Sequence, residues 1–150
     1  MKINAVAIAA VFTLTLTACA SVTSMDLGGR IAPEQAIQMA ASAAPALVPG
    51  VFDMRVQATG TQNGYVYLNS ELDYRDQRNL TISMTPDAVK RFISDTGTSP
   101  LEAFKGKHIV VRGAASRVKI VFSVDQRQTD KYYYQTQVAV LGGDQISILN

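Results

Sequence analysis

The chain carries one cysteine, one histidine and no tryptophan in 150 residues. A zinc site of the usual His/Cys type therefore lacks ligands, and no intrachain disulfide can form. A serine triad would have to use His108, which opens a predicted strand after Lys107, and no Gly-x-Ser-x-Gly elbow occurs. His108 reads instead as a strand-end residue. Neither a phosphate-cradling Gly-x-x-x-x-Gly-Lys-Ser/Thr loop nor a dinucleotide Gly-x-Gly-x-x-Gly fingerprint is present, and Lys105-Gly106-Lys107 reads as a tight turn. Charge is also sparse. Only 17% of residues are charged, with 14 basic against 12 acidic side chains, which argues against a protein built to coat polyanions. The length fits one domain with an apolar core.

The N-terminus supplies what the composition lacks in direction. Lys2 precedes an apolar run, Ala5 to Leu16, that closes on Leu16-Thr17-Ala18-Cys19. A basic start, a short apolar stretch and a small-residue cleavage site make a secretory signal. The run is diluted by Thr13 and Thr15 and is shorter than the roughly 20 residues a spanning helix needs. Leu-Thr-Ala-Cys resembles the lipobox of bacterial lipoproteins. That resemblance implies removal of residues 1–18, a diacylglycerol on the sulfur of Cys19, and attachment to a membrane through it. In such lipoproteins an aspartate after the cysteine retains the protein in the inner membrane. Ala20 at this position implies the outer membrane, with the domain facing the periplasm. A lipidated Cys19 also leaves no thiol for cysteine-nucleophile catalysis.

Residues 19–30 are small, polar and glycine-containing, as a tether would be. Residues 31–50 hold a leading helix: Pro33-Glu34-Gln35 opens an alanine-rich stretch that Pro45 and Pro49 stop. From Val51 the hydrophobic period becomes two. Phe52, Met54, Val56 and Ala58 alternate with polar residues, and Asn63-Gly64 turns the chain into an antiparallel Tyr65–Ser70. The polar loop Glu71–Arg78 leads to a third strand with Leu80, Ile82 and Met84 on one face. Thr85-Pro86-Asp87 is a helix start, with Ala88, Val89, Phe92 and Ile93 on one side, and Pro100–Phe104 is a second short helical turn. Ile109–Val111 and Val118–Val124 read as strands separated by a bend at Gly113-Ala114-Ala115-Ser116. Asp125–Asp130 reads as a hairpin loop, Tyr132–Val140 as the returning strand, and Ile146–Leu149 as a short final strand.

Three strands, a helix and three further strands, one of them short and outside, resemble the OB-fold over residues 51–150. This is a mainly β, five-stranded Greek-key barrel with a helix between strands three and four, here preceded by the short helix of 31–50. An open antiparallel sheet on one helix is the alternative. Gly64–Asp76 and Asp130–Thr136 are also similar to segments of small secreted bacterial proteins of unknown function, a kinship that implies no activity.

Two constellations carry candidate chemistry. On the outward face of the strands, Tyr65, Tyr67 and Asn69 alternate with Val66 and Leu68, and Arg117 and Lys119 alternate with Val118 and Ile120. Aromatic rings near cations on a barrel face hold polymers through stacking and charge. Within Tyr132-Tyr133-Tyr134 the outer rings must point one way and Tyr133 the other, and Lys131 is placed to sit over a ring. Tyrosine also suits a half-exposed pleat without any ligand. In the loop, Glu71, Asp73 and Asp76 lie near Arg75 and Arg78, a grouping that fits either locally paired surface charges or a cation site. The OB-fold includes the staphylococcal-nuclease type, whose resemblance implies metal-binding carboxylates and phosphate-binding arginines. Asp73, Asp76 and Arg75 supply the residue types without matching that motif position by position.

These observations predict a non-catalytic envelope lipoprotein without cofactor or metal. Its tentative ligand-binding set is Tyr65, Tyr67, Asn69, Asp73, Arg75, Arg117, Lys119 and Tyr133, and its partner is an envelope protein or a glycan, with nucleic acid disfavoured. A metal-dependent phosphodiester hydrolase and a purely structural lipoprotein are the alternatives.

Overall fold

The computed structural model describes residues 29–125 and 127–149, so the 1–18 leader, Cys19 and the tether before Gly29 lie outside the described residues. The alanine-rich stretch forms helix α1, Pro33–Ala43. Pro33 sits at its first turn, where no N–H is needed, and Gln35 Oε1 accepts from the Ala32 N–H at 3.2 Å. Helix α1 buries Ala36 and Ala40 completely and packs on the barrel strands. Alanines allow this close approach.

The predicted leading segment 31–50 is thus shorter as a helix, because the sheet claims its end. Strand β1 runs Val48–Arg55, beginning before Val51, and Ile31 already bridges Phe52. Strand β2, Ala58–Gln62, follows after Val56 and Gln57. Asn63 and Gly64, both at positive φ, turn it into β3, Tyr65–Asn69, as the Asn-Gly pair predicts. Strand β4 is Leu80–Met84. Helix α2, Pro86–Thr96, starts with Thr85 Oγ1 accepting from Ala88 N and ends on Gly97 in the left-handed region. Helix α3, Pro100–Phe104, is capped by Ser99, and Phe104 packs on Phe92 of α2 at 5.1 Å between ring centroids.

The Gly113–Ser116 stretch is not a break. Strand β5 is continuous over His108–Val124, and β6 spans Arg127–Val140, so the predicted six-residue loop shrinks to a tight connection. The small residues serve close packing instead. A Cβ on Gly113 would lie 2.8 Å from Val138 Cγ1, and Gly113 pairs directly with Gly50 of β1. A 3-10 turn, Gly143–Gln145, then leads to β7, Ile146–Ile148, which pairs with β5.

The hydrogen-bonded order is β1-β5-β6-β4-β3-β2. Every neighbour is antiparallel except β4 with β6, which is parallel. Strands β1 and β2 are halves of one bent strand, so the path closes through the chain itself. At the bend Val56 N donates to Lys107 O and Gln57 N to Asn69 O, each at 2.8 Å. Counting β1 and β2 as one strand, this is the OB-like Greek-key barrel: the first strand pairs with the second and fourth, and the third runs parallel to the fifth. The helix falls between strands three and four, and β7 lies outside the barrel.

The barrel interior is filled by Phe52, Met54, Leu68, Ile82, Ile109 and Val138 among others, all at most 2% exposed, with Ala36 and Ala40 of α1 in the same cluster. Helix α1 is therefore part of the core. Ala40→Glu, which buries an unpaired carboxylate, should cost about 3 kcal/mol or more. Met39→Glu, at a position 38% exposed, should cost under about 0.5 kcal/mol. Urea unfolding of both variants checks this, and similar small losses in both would place α1 outside the core.

Candidate functional site

Strand alternation gives the barrel a second, outward surface, and on one side this surface is concave. Tyr67 and Asn69 of β3, Thr81 of β4 and Tyr133, Gln135 and Gln137 of β6 share it. Cross-strand pairing sets them in rows: Asn69 opposite Thr81, Thr81 opposite Gln137, and Gly60 opposite Tyr67. The far end of the β5–β6 hairpin, at Ile120–Ser123, and Tyr74 from the loop after β3 raise the walls. The result is an open groove of about 730 Å³. None of its lining residues carries a charge.

The floor is a polar network. Glu71 N donates to Asn79 Oδ1 at 3.0 Å. Asn79 Nδ2 in turn donates to Asn69 Oδ1 at 3.1 Å, to Thr81 Oγ1 at 2.9 Å and to Tyr74 O at 3.3 Å. Thr81 Oγ1 donates to Asn69 Oδ1 at 2.9 Å. From β6, Gln135 Nε2 donates to Tyr74 O and to the Tyr133 hydroxyl, both at 3.0 Å, and Gln137 Nε2 donates to Gln135 Oε1 at 2.8 Å. Three strands and the loop are thereby locked together beneath the rings. Asn69 is 5% exposed, so the expectation of a freely outward Asn69 is corrected: it faces outward by parity but lies at the groove bottom, covered by its neighbours.

The rings stand above this floor. Tyr65 and Tyr67 stack at 6.2 Å and 17°, and Phe122 packs on Tyr133 at 5.2 Å. The hydroxyl pKa values of Tyr67 and Tyr133 are raised, in both cases chiefly by burial, with Tyr65 adding to the effect at Tyr67 and Tyr74 at Tyr133. Both remain neutral donors throughout the physiological range.

Arg117 and Lys119 do not join Tyr65 and Tyr67. Residue pairing puts them on the other face of the hairpin, where the Arg117 guanidinium lies 3.9 Å from the Tyr134 ring and Lys119 Nζ lies 4.1 Å from that of Tyr132. Tyr132 and Tyr134 meet edge to face at 5.6 Å. The ring partner of Tyr132 is thus Lys119, across the ladder. Val118 and Ile120 are only half-buried, because this part of the hairpin extends past the closed barrel. Tyr133 points opposite to its two neighbours, as period two requires.

The loop charges satisfy one another. Asp73-Tyr74-Arg75 and Asp76-Gln77-Arg78 repeat one motif in which each carboxylate accepts from the backbone N–H and the guanidinium two residues on. Arg75 Nε lies 3.1 Å from Asp73 Oδ1, and Arg78 Nη2 lies 2.8 Å from Asp76 Oδ2. Among the described residues no three His, Cys, Asp or Glu side chains gather as a metal site. Arg75 also lies 5.6 Å from the Tyr74 ring centroid, which sets the pair Asp73–Arg75 on the groove rim rather than inside it.

The functional side chains that sequence reasoning missed are Gln135, Gln137, Thr81, Asn79 and Phe122. Extending the parity of Tyr133 along β6 would have found the two glutamines. Phe122 follows from its parity with Ile120, opposite Tyr133, whereas Asn79 follows from loop closure, which leaves no periodic signal.

The Arg78 side chain and backbone N–H, bonded to Asp76, hold that carboxyl down to about 2, and Arg75 lowers Asp73 in the same way. A depressed folded-state pKa adds stability above the unfolded value of about 3.9 and loses it as pH falls through the folded one. The contribution of Asp76 is therefore present at neutral pH and disappears between about pH 4 and pH 2. Carboxyl-carbon NMR should show Asp76 titrating at about 2, and Arg78→Gln, which keeps the backbone donor, should raise that midpoint part of the way toward the unfolded value. An unshifted midpoint in the variant would refute the pairing.

No protein-family model matches the chain, and no curated protein matches it. Among solved structures the chain is similar to an aspartyl tRNA synthetase from Entamoeba histolytica, at 13% identity and a TM-score of 0.40 over 73% of this chain and 20% of that one. It is also similar to mitochondrial single-stranded DNA binding proteins from S. cerevisiae, at 13% identity and a TM-score of 0.38 over 70% of this chain and 96% of that one. The chain thus spans about a fifth of the synthetase, and the fold assignment stands on the strand pairing itself.

Proposed function

We propose that the protein is a non-catalytic, lipid-anchored envelope module whose barrel groove binds a neutral glycan. The observation that carries this reading is the chemistry of the groove: aromatic rings and side-chain amides with no charged lining residue. Sugar rings present apolar C–H faces and a rim of hydroxyls, which stack on tyrosine and hydrogen-bond to amides. A nucleic-acid channel instead tracks phosphates with lysine and arginine. The groove also lacks the carboxylate pair of glycoside hydrolysis, which supports binding without cleavage.

The first described residues lie at the end of the barrel away from the hairpin wall of the groove. Arg30, the second described residue, lies 3.5 Å from Asp53, whose other oxygen is 2.8 Å from His108, the first residue of β5. The hairpin wall of the groove belongs to the far end of that strand. A lipid on Cys19 would tether the His108 end and leave the groove pointing away from the membrane. A protein partner is the second reading, favoured by the exposed Arg117–Tyr134 and Lys119–Tyr132 pairs on the opposite face, which suit an acidic surface.

Full-length protein in detergent, screened against immobilised neutral glycans, acidic glycans and single-stranded oligonucleotides, tests the proposal. Neutral glycans should be retained, and Tyr67→Ala or Tyr133→Ala should weaken retention about tenfold. Arg117→Ala should leave it unchanged. Retention of oligonucleotides alone, or of glycans equally by folded Tyr67→Ala and Tyr133→Ala, would reject the groove as a glycan site.

A further inference from the structure

We infer that the groove reads acetamido groups, so that its ligand class is an N-acetylated amino-sugar chain; this rests on the glycan reading above. The inference comes from the orientation of two side-chain amides, which the network fixes through backbone groups of known polarity. The Glu71 backbone nitrogen can only donate, so the Asn79 atom it meets at 3.0 Å must be oxygen. Asn79 then presents its nitrogen to Asn69, and Asn69 must answer with its oxygen. That oxygen also accepts from Thr81. The Asn69 amide nitrogen is left with no partner among the described residues, although the residue is 5% exposed.

The same logic runs along β6 with the opposite result. The Tyr74 carbonyl can only accept, so Gln135 turns its nitrogen toward it. Gln135 therefore offers oxygen to Gln137, which donates its nitrogen at 2.8 Å. The Gln137 oxygen is left without a partner among the described residues. Every fully buried side-chain nitrogen and oxygen in the described structure has a hydrogen-bond partner. These two unpartnered atoms must therefore reach the groove surface that both residues line.

At the groove surface these two atoms take their partners from water or from a ligand, and a ligand that displaces the water must supply matching groups. The groove thus presents one fixed donor, Asn69 Nδ2, and one fixed acceptor, Gln137 Oε1. A secondary amide is the complementary group, with a carbonyl for the first and an N–H for the second. The two residues lie in one row with Thr81 between them, two strand spacings or about 10 Å apart. That separation suits acetamido groups on different units of one chain. Hydroxyls would satisfy either atom without discrimination, whereas a chain of acetamido groups offers a carbonyl from one unit and an N–H from another. Tyr67 and Tyr133 flank the row as platforms for the sugar rings. Gly60, opposite Tyr67, keeps the wall low, since nothing lies within 4 Å of a Cβ built there.

Full-length protein should be titrated by NMR with a β-linked N-acetylglucosamine tetramer, the matching glucose tetramer and an N-acetylated alanine peptide amide. Binding of the N-acetylglucosamine tetramer at least tenfold tighter than the glucose tetramer, with Asn69 and Gln137 side-chain amide resonances shifted, is the expected result. Asn69→Asp keeps the accepted hydrogen bonds but replaces the groove-facing donor by an acceptor. It should abolish the preference between the two sugars. Gly60→Leu, outside the network, should weaken both by narrowing the groove. Equal binding of the two sugars would overturn the acetamido inference and leave the glycan reading standing. Binding of neither sugar would overturn both, and binding of the peptide alone would transfer the amide-reading site to a protein ligand.

Discussion

Strand β5 must hydrogen-bond to more of the molecule than one strand ordinarily can, and the barrel depends on how it does so. Its first half pairs with β1 while β7 lies along the other edge. From Ala115 onward that edge belongs to β6. Where β6 departs to run parallel with β4, the ladder opens and would leave backbone groups unpaired. Gln145 fills the gap: its Oε1 accepts from Leu141 N and Gly142 N, and its Nε2 donates to Arg112 O and Ala139 O. Gly113 sits beside this junction because the strands cross too closely for a side chain. One glutamine and one glycine thus let a 17-residue strand continue past the barrel and wall the groove.

The polar floor of the groove depends on a similar economy of groups. Buried amides are tolerated only when their donors and acceptors are used. Asn79 achieves this by linking Glu71, Tyr74, Thr81 and Asn69, and it does so while closing the loop over residues 70–79. Ser70 contributes from the loop's first residue, its hydroxyl accepting from Leu80 N at 2.9 Å. Asp73, Arg75, Asp76 and Arg78 are paired within their own Asp-x-Arg turns, so these four charges offset one another beside the groove. Loop rigidity and groove neutrality therefore have the same local origin.

Periodicity made the architecture legible. The alternation of Phe52, Met54 and Val56, the Asn63-Gly64 turn and the Thr85-Pro86 helix start each report a local preference that the fold keeps, and the element order suffices for an OB-like barrel. What escaped is non-local. Gly113 to Ser116 looks like a bend because small residues usually mark turns, yet here they answer to Val138 and Gly50 across the sheet. Parity along β3 sorted in from out, but along β5 it was inverted: Arg117 and Lys119 continue the parity of buried Ile109, Val111 and Ala115, and Ile120 lines the outer groove. Parity alone cannot tell which outward faces are shared, because that depends on register. Tyr67 and Arg117 were accordingly joined on one surface when the barrel sets them on two.

Strand alternation explains why the two faces of the hairpin differ so sharply. Pairing shifts between Val121, opposite Tyr132, and Ser123, opposite Gln128, so Phe122 faces the three residues 129–131 of β6, and extra residues of this kind bend a strand and increase its twist. Two residues after Ile120, which pairs with Tyr133, Phe122 falls on the Tyr133 side and packs on that ring, and this hairpin end walls the groove. On the reverse side the regular register keeps Lys119 opposite Tyr134 and Arg117 opposite Thr136, so each cation leans over a tyrosine ring instead of reaching a carboxylate. Period two along the paired strands thereby separates an uncharged aromatic groove from a cationic aromatic ladder, and it gives a small barrel two surfaces of different chemistry on a single hairpin.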